Sequence, residues 1–288
     1  MRLRIATVLV GHERDSYMDA AAKVDRLMKS TCPDAIRTTI IVDNAQPRIA
    51  LEQLAEDLVI IGGDNTYREF SAWDRGLAHL DRTRENPDLI HFVTSAFDAL
   101  YSGYLEFFSE DVLALAQARN CAVGHLDYYD EPIEVLGRES QSWIRTSYFF
   151  MPARALRRLR AVTSVESAED IFSGDPGRPF METAPLSEKY REYILSWLTG
   201  EGTGQGVTWH SRFDLSEETL PLFRAKALAI LNEHMLTIRL REAGVAVCDI
   251  AWLTDQIRSV GGAEVGLDTD WEGQLKARRI GPTGQVGS

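Results

Sequence analysis

The chain has 288 residues, of which 44% are hydrophobic and 26% are charged, and its formal net charge is −12. This composition is typical of a globular protein, and no apolar run approaches the roughly 18 to 20 residues that a membrane span needs. The sequence has no cluster of basic residues that would offset the acidic charge. This argues against a protein whose main function is to bind nucleic-acid phosphates.

The first half of the chain alternates β-branched runs with helical patterns. The strand-like runs are "LRIATVLVG", "IRTTIIVDN", "DLVIIGGD" and "LIHFVTSAFDA", while "MDAAAKVDRLMKS" and "RIALEQLAE" take the helical positions. Near-continuous apolar strands separated in this way are typical of βαβ units in a parallel sheet covered on both faces. The first run continues into charge without a cleavage site, so it predicts a strand rather than a signal peptide.

Small or polar residues follow each of these four strands. They are Gly11, His12 and Glu13 after the first strand, Asp43 and Asn44 after the second, Asp64 and Asn65 after the third, and Thr94, Ser95 and Asp98 after the fourth. Such residues also form helix caps and turns. Because ligands bind at the carboxyl ends of parallel strands, their recurrence predicts a lined cleft at this edge.

The second half predicts two more strands, a helical insertion and a long helix. The strands are "CAVGHLDYY" and "WIRTSYFFM", and the second leads into a basic helix from Pro152. Two Gly-rich loops enclose "SEKYREYILSWLTG", which has a Ser cap and a terminating Gly, so 164–212 is predicted as a helical insertion. A helix from Ser216 to Ala243 follows, and "VAVCDIAWL" is either a last strand or an edge hairpin.

These patterns predict one α/β domain over 1–280 and a disordered Gly-rich tail over 281–288. Cys32, Cys121 and Cys248 fit neither a disulfide framework nor zinc-ligand spacing, which favours a cytoplasmic chain. The basic run "RALRRLR", 154–160, is either the solvated face of a helix or a contact with an anionic membrane surface.

The stretches "VLVGHER", "IIVDNAQ" and "IGGDNTYREFSAWDRGL" resemble the start of GT-A fold glycosyltransferases, particularly the family 2 group that builds bacterial polysaccharides. "GGDNTYREFSAW" and "SWIRTSYFFMPARALRRL" look most similar to the rhamnan and O-antigen assembly enzymes. The resemblance implies a Rossmann-like, mainly parallel sheet flanked by helices, with the smaller insertion on the acceptor side. It also implies that rhamnose or another deoxyhexose passes from a dTDP- or UDP-linked donor to a saccharide or lipid-linked glycan.

The resemblance places Asp43 against the nucleobase and Asn65 at a matching donor position. A carboxylate can accept the N–H of uracil or thymine while backbone N–H groups meet the carbonyls. The guanidinium of Arg68 either binds two oxygens of the diphosphate or forms a surface ion pair with Glu69 or Asp64. The predicted donor-binding residues are Gly11, Glu13, Asp43, Asn44, Asn65, Arg68, Thr94, Ser95 and Asp98.

The family's Asp-x-Asp metal motif is absent from "HFVTSAFDAL", where Asp98 is the nearby carboxylate. A divalent cation that bridges a diphosphate usually needs one or two carboxylates. We expect no cofactor and metal-independent transfer, in which Arg or Lys side chains and backbone N–H groups neutralise the charge. The alternative is that Asp98 alone holds Mg or Mn weakly.

In this family a Glu-Asp pair opens a helix that continues to an Arg-rich end, and one carboxylate deprotonates the acceptor hydroxyl. "EHMLTIRLREAG" matches this pattern, with His234 in place of the Asp after Glu233. Glu233 is the expected base of an inverting transfer, with His234 as its partner or substitute. His234 also falls on the apolar stripe of its helix, so a core histidine is an equal alternative.

Acceptor contacts are expected from Trp209 and His210 in "TWHSR" and from Asp130 in "LDYYDE". A Trp beside a His suits stacking on a sugar, although such a loop also serves as a simple connection. Asp127 and Asp130 either face the donor sugar or form turns.

Two other functions remain open from the sequence. The altered metal motif and Glu-Asp pair would also suit a catalytically silent nucleotide-sugar or glycan-binding module of a larger polysaccharide synthase at the inner membrane. A dinucleotide-dependent enzyme is disfavoured, since "GHERDSY" stands where G-x-G-x-x-G would follow the first strand.

Overall fold

The computed structural model of the chain describes residues 2–99, 102–200, 213–260, 266–267 and 270–278. The first elements are β1 (Arg4–Gly11), α1 (Arg14–Thr31), β2 (Ile36–Asp43), β3 (Leu51–Ala55), β4 (Leu58–Gly62), α2 (Glu69–Thr83) and β5 (Leu89–Thr94). A 3₁₀ helix at Gly103–Phe107 precedes α3 (Glu110–Arg119), β6 (Cys121–Gly124), β7 (Leu126–Val135), β8 (Arg138–Ile144), β9 (Tyr148–Pro152) and α4 (Ala153–Leu159). The last elements are α5 (Glu188–Thr199), α6 (Leu220–Glu242), β10 (Ala246–Asp249), α7 (Ile250–Val260) and α8 (Trp271–Ala277).

Within the described ranges, eight strands form one sheet in the order β10-β6-β9-β5-β1-β2-β4-β3, and β7 pairs separately with β8. Strands β5, β1, β2 and β4 are parallel to one another, and so are β6 and β10. Strands β3 and β9 run antiparallel to their neighbours. The predicted α/β class with a mostly parallel sheet flanked by helices is therefore confirmed.

Helices α1 and α2 cover opposite faces of this sheet. Ile5 and Leu9 of β1 belong to a core that also contains Tyr17 of α1. On the other face, a Cβ added to Gly76 of α2 would lie 2.3 Å from the Cγ1 atom of Val8. The absence of a side chain at position 76 therefore lets α2 pack closely on β1.

Three predictions of secondary structure were wrong in detail. Residues 48–56, expected as helical, contain the exposed edge strand β3, which returns directly along β4. The Glu56–Asp57 turn reverses the chain into β4, so this run pairs with β4 and does not form a crossover helix.

The predicted fifth and sixth strands are each divided. His125 separates β6 from β7, and residues 145–147 separate β8 from β9. The chain leaves the large sheet at His125 to form the β7–β8 hairpin, where Leu136 and Gly137 both have positive φ, at 52° and 72°. Two successive left-handed residues suit a tight hairpin turn, but the sequence offers only "LG" there and not the usual Asn-Gly or Asp-Gly.

Several predictions for the second half are confirmed. Ser187 caps α5 by accepting a hydrogen bond from the Tyr190 N–H, and Gly200 ends it at a φ of 88°. Helix α6 is continuous over 23 residues, and "VAVCDIAWL" begins with an edge strand rather than a hairpin. The basic run lies largely on α4. The predicted tail, 281–288, lies outside the described residues.

The chain divides into two compact units. The first unit comprises Met1–Asp127, Ile144–Val162 and Arg239–Ser288 and contains the large sheet. The second unit comprises Tyr128–Trp143 and Thr163–Ile238 and contains α5 and most of α6. Among the described helices, none combines the length and apolar character needed to cross a membrane.

Candidate functional site

The carboxyl ends of three parallel strands lie side by side in the first unit. Gly11 of β1 is in register with Asp43 of β2, which is in register with Gly62 of β4. On the other side of β1, Val10 is in register with Thr94 of β5. The chain passes from β1 to β2 on one side and from β4 back to β5 on the other, so a crevice is expected at the ends of β1 and β5.

Asp43 is a buried carboxylate at the end of β2, and only 3% of its surface is exposed. Its Oδ2 atom accepts a hydrogen bond of 3.0 Å from the Tyr17 hydroxyl, and its Oδ1 atom accepts one of 2.9 Å from the Ala45 N–H. Burial and the bond to Asp43 raise the pKa of Tyr17, so its hydroxyl keeps the proton that it donates. About two of the roughly four acceptor positions of the carboxylate remain for a ligand.

Asn44 connects the ends of β1, β2 and β4. Its N–H donates to the Gly11 carbonyl at 2.9 Å, and its Nδ2 donates to Asn65 Oδ1 at 3.3 Å and to the Arg68 carbonyl at 3.2 Å. The Oδ1 atom of Asn44 is enclosed and has no hydrogen-bond partner within the described residues. An enclosed acceptor without a donor is costly, and such groups are uncommon in folded proteins.

The loop from Asp64 to Arg68 has an unusual backbone. Asn65 has a φ of 54°, and Arg68, the residue before α2, has a φ of 54° with a ψ of −126°. Asparagine tolerates the left-handed region, but an arginine at these angles is strained. Strained residues concentrate where a loop is held in a functional conformation.

Two glycines allow this loop to pack against the end of β2. A Cβ added to Gly62 would lie 1.8 Å from the Pro47 carbonyl oxygen, and one added to Gly63 would lie 2.2 Å from Asn44 Oδ1. Both distances are far below van der Waals contact, so neither position accepts a side chain without a shift of the loop.

The charged residues at this edge differ in how firmly they are paired. Asp64 forms an ion pair of 2.5 Å with Arg48, whereas the Nε atom of Arg68 lies 3.9 Å from Glu69. The Arg68 side chain is 39% exposed. Among the described residues, the surface pair proposed as the alternative role for Arg68 is a long contact with Glu69, which leaves the guanidinium able to turn toward an anion.

The other predicted donor residues also lie at this edge. The Ser95 N–H donates to the Val10 carbonyl at 2.8 Å, and the Thr94 N–H to the Ser147 carbonyl at 3.1 Å. Glu13 precedes α1 and is exposed, without a side-chain capping bond. Asp98 is held by Lys23 of α1 in an ion pair of 2.7 Å. Among the described residues, no group of three or more His, Cys, Asp or Glu side chains is arranged to hold a metal ion.

Glu233 and His234 lie within the continuous helix α6, in the second unit. His234 is 1% exposed, its Nδ1 atom is hydrogen-bonded to the Tyr190 hydroxyl, and its ring lies 4.2 Å from that of Trp143. The core position that the apolar stripe predicted for His234 is confirmed. Glu233 is half-buried in mid-helix and gains no stabilisation of its charge from a helix N-terminus.

Of the three predicted acceptor residues, the structure describes one. Asp130 is an exposed residue of β7 in the second unit. Trp209 and His210 lie outside the described residues. Asp127, weighed beside Asp130, is in the first unit, where Arg145 binds its carboxylate through two hydrogen bonds of 2.8 and 2.9 Å.

A buried charged cluster surrounds Asp127 at the ends of β6 and β10. Burial tends to raise the pKa of Asp127, but the charge of Arg145 and contacts with His125 hold that pKa well below its ordinary value. Asp249 is fully buried and forms an ion pair of 3.0 Å with Arg278, while its Oδ1 atom accepts the first N–H groups of α7. Asp127 pairs with Arg145 and Asp249 pairs with Arg278, so the cluster stabilises the edge of the sheet.

The roles of Tyr17 and of Arg145, which binds Asp127, were not predicted from the sequence. Tyr17 had a usable signal, since an aromatic residue one turn into the helix after Gly11 can reach the end of the next strand. Arg145 had none, because it lies 18 residues along the chain from Asp127. Neither protein-family models nor curated proteins give a match to this chain, so the family resemblance stays a prediction from the quoted motifs.

Proposed function

We propose that the chain is a glycosyltransferase that binds a nucleotide-linked sugar at the carboxyl ends of β1, β2, β4 and β5. One observation carries this proposal: a buried carboxylate, an unsatisfied amide oxygen and a strained arginine lie together at this edge. They belong to Asp43, Asn44 and Arg68. A typical sheet edge that only connects strands does not need such costly features.

Each of these groups suits one part of a nucleotide-sugar. The carboxylate of Asp43 accepts the single ring N–H of uracil or thymine, which distinguishes these bases from cytosine. The guanidinium of Arg68 binds two oxygens of the diphosphate. The neighbouring N–H groups after β1 and β4 can meet the base carbonyls.

We further propose that the transfer needs no metal ion. Asp98, the one carboxylate that could replace the missing Asp-x-Asp motif, forms its ion pair with Lys23. A cation bound there would have to compete with that ammonium group. The guanidinium of Arg68 and backbone N–H groups can instead neutralise the charge of the leaving diphosphate.

Glu233 is the proposed base for the acceptor hydroxyl. Its carboxylate contributes to a raised pKa of Tyr190, after burial and the proximity of Tyr129, so its charge lies close to this tyrosine. His234 is excluded as a freely accessible base by its burial and its bond to Tyr190. The donor sugar proposed from the resemblance is rhamnose or another deoxyhexose, and the acceptor is a saccharide or lipid-linked glycan.

A silent nucleotide-sugar-binding module is the second candidate. The observation that favours it is the burial of His234, which stands where the family's catalytic pair has an Asp. Both functions share the same donor site and differ in whether sugar is transferred.

Incubation with labelled dTDP- and UDP-sugars and a panel of saccharide acceptors tests the proposal. A transferase releases nucleoside diphosphate and labels an acceptor, and Glu233→Gln should abolish both while donor binding persists. Binding without turnover across the panel would establish the silent module instead. Full activity of Glu233→Gln would remove Glu233 as the base.

A further inference from the structure

The two edges of the large sheet differ in how their backbone groups are satisfied. At one edge, Gln274 of α8 accepts a hydrogen bond of 2.7 Å from the Asp249 N–H of β10 and donates one of 3.3 Å to the Val247 carbonyl. Gln274 is fully buried, so the chain itself closes this edge. At the other edge, β3 pairs with β4 on one side and is the last strand of the sheet within the described ranges.

The outer side of β3 carries backbone groups that point away from the sheet. The Ala50 carbonyl, just before β3, accepts a hydrogen bond of 3.0 Å from the Gly62 N–H of β4. Hydrogen-bonded and non-hydrogen-bonded residues alternate along an antiparallel pair, so Leu51 and Gln53 direct their backbone groups away from β4. Such a row of outward N–H and C=O groups can pair with a further strand.

The side chains at this edge are exposed, and several are apolar. All five residues of β3 are exposed, and Ile49, Leu51 and Leu54 are 92%, 62% and 38% exposed. They are three of the five large hydrophobic side chains that are exposed among the described residues. Sheet edges that stay unpaired are commonly protected by Lys or Pro, and β3 contains neither. The apolar side chains therefore favour burial of this edge against a partner.

The charges on and around β3 make the strand complementary to a second copy of itself. Within the strand, the Glu52 carboxylate is neutralised by two hydrogen bonds of 2.8 and 2.9 Å from the Arg14 guanidinium. Arg48 precedes the strand and Glu56 follows it. Arg48 also pairs with Asp64, but its side chain is 64% exposed and can meet a second carboxylate. Two copies that run antiparallel bring Arg48 of each toward Glu56 of the other, whereas parallel copies bring like charges together.

We propose that two copies of this chain pair antiparallel through β3, about a two-fold axis. The two eight-stranded sheets then continue into each other, and each copy satisfies the outward backbone groups of its partner. A two-fold axis uses the same residues on both copies, which suits a strand that is complementary to itself. Because Gln274 closes the edge at β10, strand pairing stops at two copies.

The proposed contact is small, because each copy contributes one strand of five residues and the turn before it. Stable interfaces usually bury about 1,200–2,000 Å² in total, so we expect a weak dimer with a dissociation constant on the order of 10–100 µM. Asp43 and Asn44 of the proposed donor site are not part of the contact. Dimer formation therefore does not depend on the proposed function.

Sedimentation velocity of the wild-type chain between about 5 and about 500 µM tests the dimer. The mass should rise from 32.3 kDa toward twice that value over this range. Leu51→Lys puts a charge on the apolar edge and should raise the dissociation constant about tenfold or more. Glu56→Lys places like charge near Arg48 of the other copy and should raise it about threefold. Leu222→Lys, the same change at an exposed leucine of the second unit, should leave it unchanged.

Amide hydrogen exchange on the same samples identifies the face, and circular dichroism checks that each variant is folded. Exchange of the segment 50–55 should slow as the wild-type concentration rises and should not slow in Leu51→Lys. A chain that stays monomeric at every concentration would overturn the proposal. So would a dimer that is unchanged in Leu51→Lys and leaves exchange at β3 as fast as in the monomer.

Discussion

The Tyr17 hydroxyl donates a hydrogen bond of 3.0 Å to the Asp43 carboxylate and thereby joins α1 to the end of β2. Both residues are buried, Tyr17 completely. The bond fixes the orientation of a carboxylate that would otherwise depend on the Ala45 N–H alone. Tyr17 is therefore a positioning residue for the proposed donor site.

Tyr17→Phe removes this bond and leaves the ring in place. Because hydrogen bonds to charged groups contribute about 1.5–3 kcal/mol, the free energy of unfolding should fall by about that amount. Affinity for UDP or dTDP should also fall. Tyr104→Phe, which removes a bond of 3.2 Å to Ser147, is the matched control and should leave nucleotide affinity unchanged. Wild-type nucleotide affinity in Tyr17→Phe would deny Tyr17 this role.

The ion pair between Asp98 and Lys23 predicts how the protein responds to metal removal. A chelator should not reduce transfer, and Asp98→Asn should not make transfer depend on added metal, because the Asp98 carboxylate is already paired with Lys23. Transfer rates with and without chelator are the measurement. Activity that is lost on chelation, restored by manganese and absent in Asp98→Asn would show a metal site at this residue.

Asn232 secures a segment of the second unit to α6. Its Oδ1 atom accepts from the N–H groups of Ser164 and Val165 at 2.6 and 2.8 Å, and its Nδ2 atom donates to the Val165 and Leu228 carbonyls. Asn232→Ala leaves buried backbone groups without partners and should cost about 3 kcal/mol in urea denaturation. Glu192→Ala, at an exposed position of α5, should change stability by less than about 0.5 kcal/mol. Equal stabilities of the two variants would refute this account of Asn232.

His91 predicts a pH dependence of stability. Its ring is fully buried, stacks on Phe150 with centroids 4.0 Å apart, and has a pKa far below its ordinary value because burial disfavours the charged form. The unfolded chain therefore binds a proton near pH 6.5 that the folded chain does not bind. Stability should consequently fall as the pH drops below about 6.5, by up to about 1.4 kcal/mol per pH unit.

His91→Phe should reduce this slope by the contribution of one proton. Thr7→Val removes the hydrogen-bond partner of His91 at 3.2 Å but leaves the ring buried, so it should retain the slope. Denaturant midpoints between pH 5.5 and 7.5 provide the comparison. His79, whose pKa is lowered by burial and by Arg82 and Arg75, accounts for part of the remaining dependence. Parallel curves for wild type and His91→Phe would contradict the prediction.

Sequence patterns predicted what depends on local periodicity and capping. Strands β1, β2, β4 and β5, the Ser187 cap and Gly200 end of α5, and the burial of His234 on the apolar stripe of α6 all follow from residues near one another in sequence. Strand β3 was missed because "RIALEQLAE" fits a helical pattern, and its pairing with β4 decides its structure. Pairing across the sheet overrides local preference in such short runs.

The site was predictable only in part for the same reason. Residues that directly follow strands, such as Asp43 and Asn65, could be placed at the carboxyl edge from the strand pattern alone. The partners that orient them were missed. Tyr17 could have been noted as an aromatic residue one turn into the helix after Gly11, whereas the bond from Asn44 to Asn65 depends on how the loop after β4 packs. The positive φ of Arg68 has no sequence signal, since arginine rarely adopts it.

Direct binding of UDP and dTDP, measured by calorimetry, tests the central claim most directly. The proteins compared are the wild type, Asp43→Asn and the control Asp57→Asn, which changes an exposed carboxylate in the turn between β3 and β4. Circular dichroism and denaturation show whether each variant is folded. We expect the wild-type chain and Asp57→Asn to bind a uracil or thymine nucleotide and folded Asp43→Asn to bind it at least about tenfold more weakly. No nucleotide binding by the wild-type chain, or undiminished binding by Asp43→Asn, would contradict the claim that this edge holds the donor.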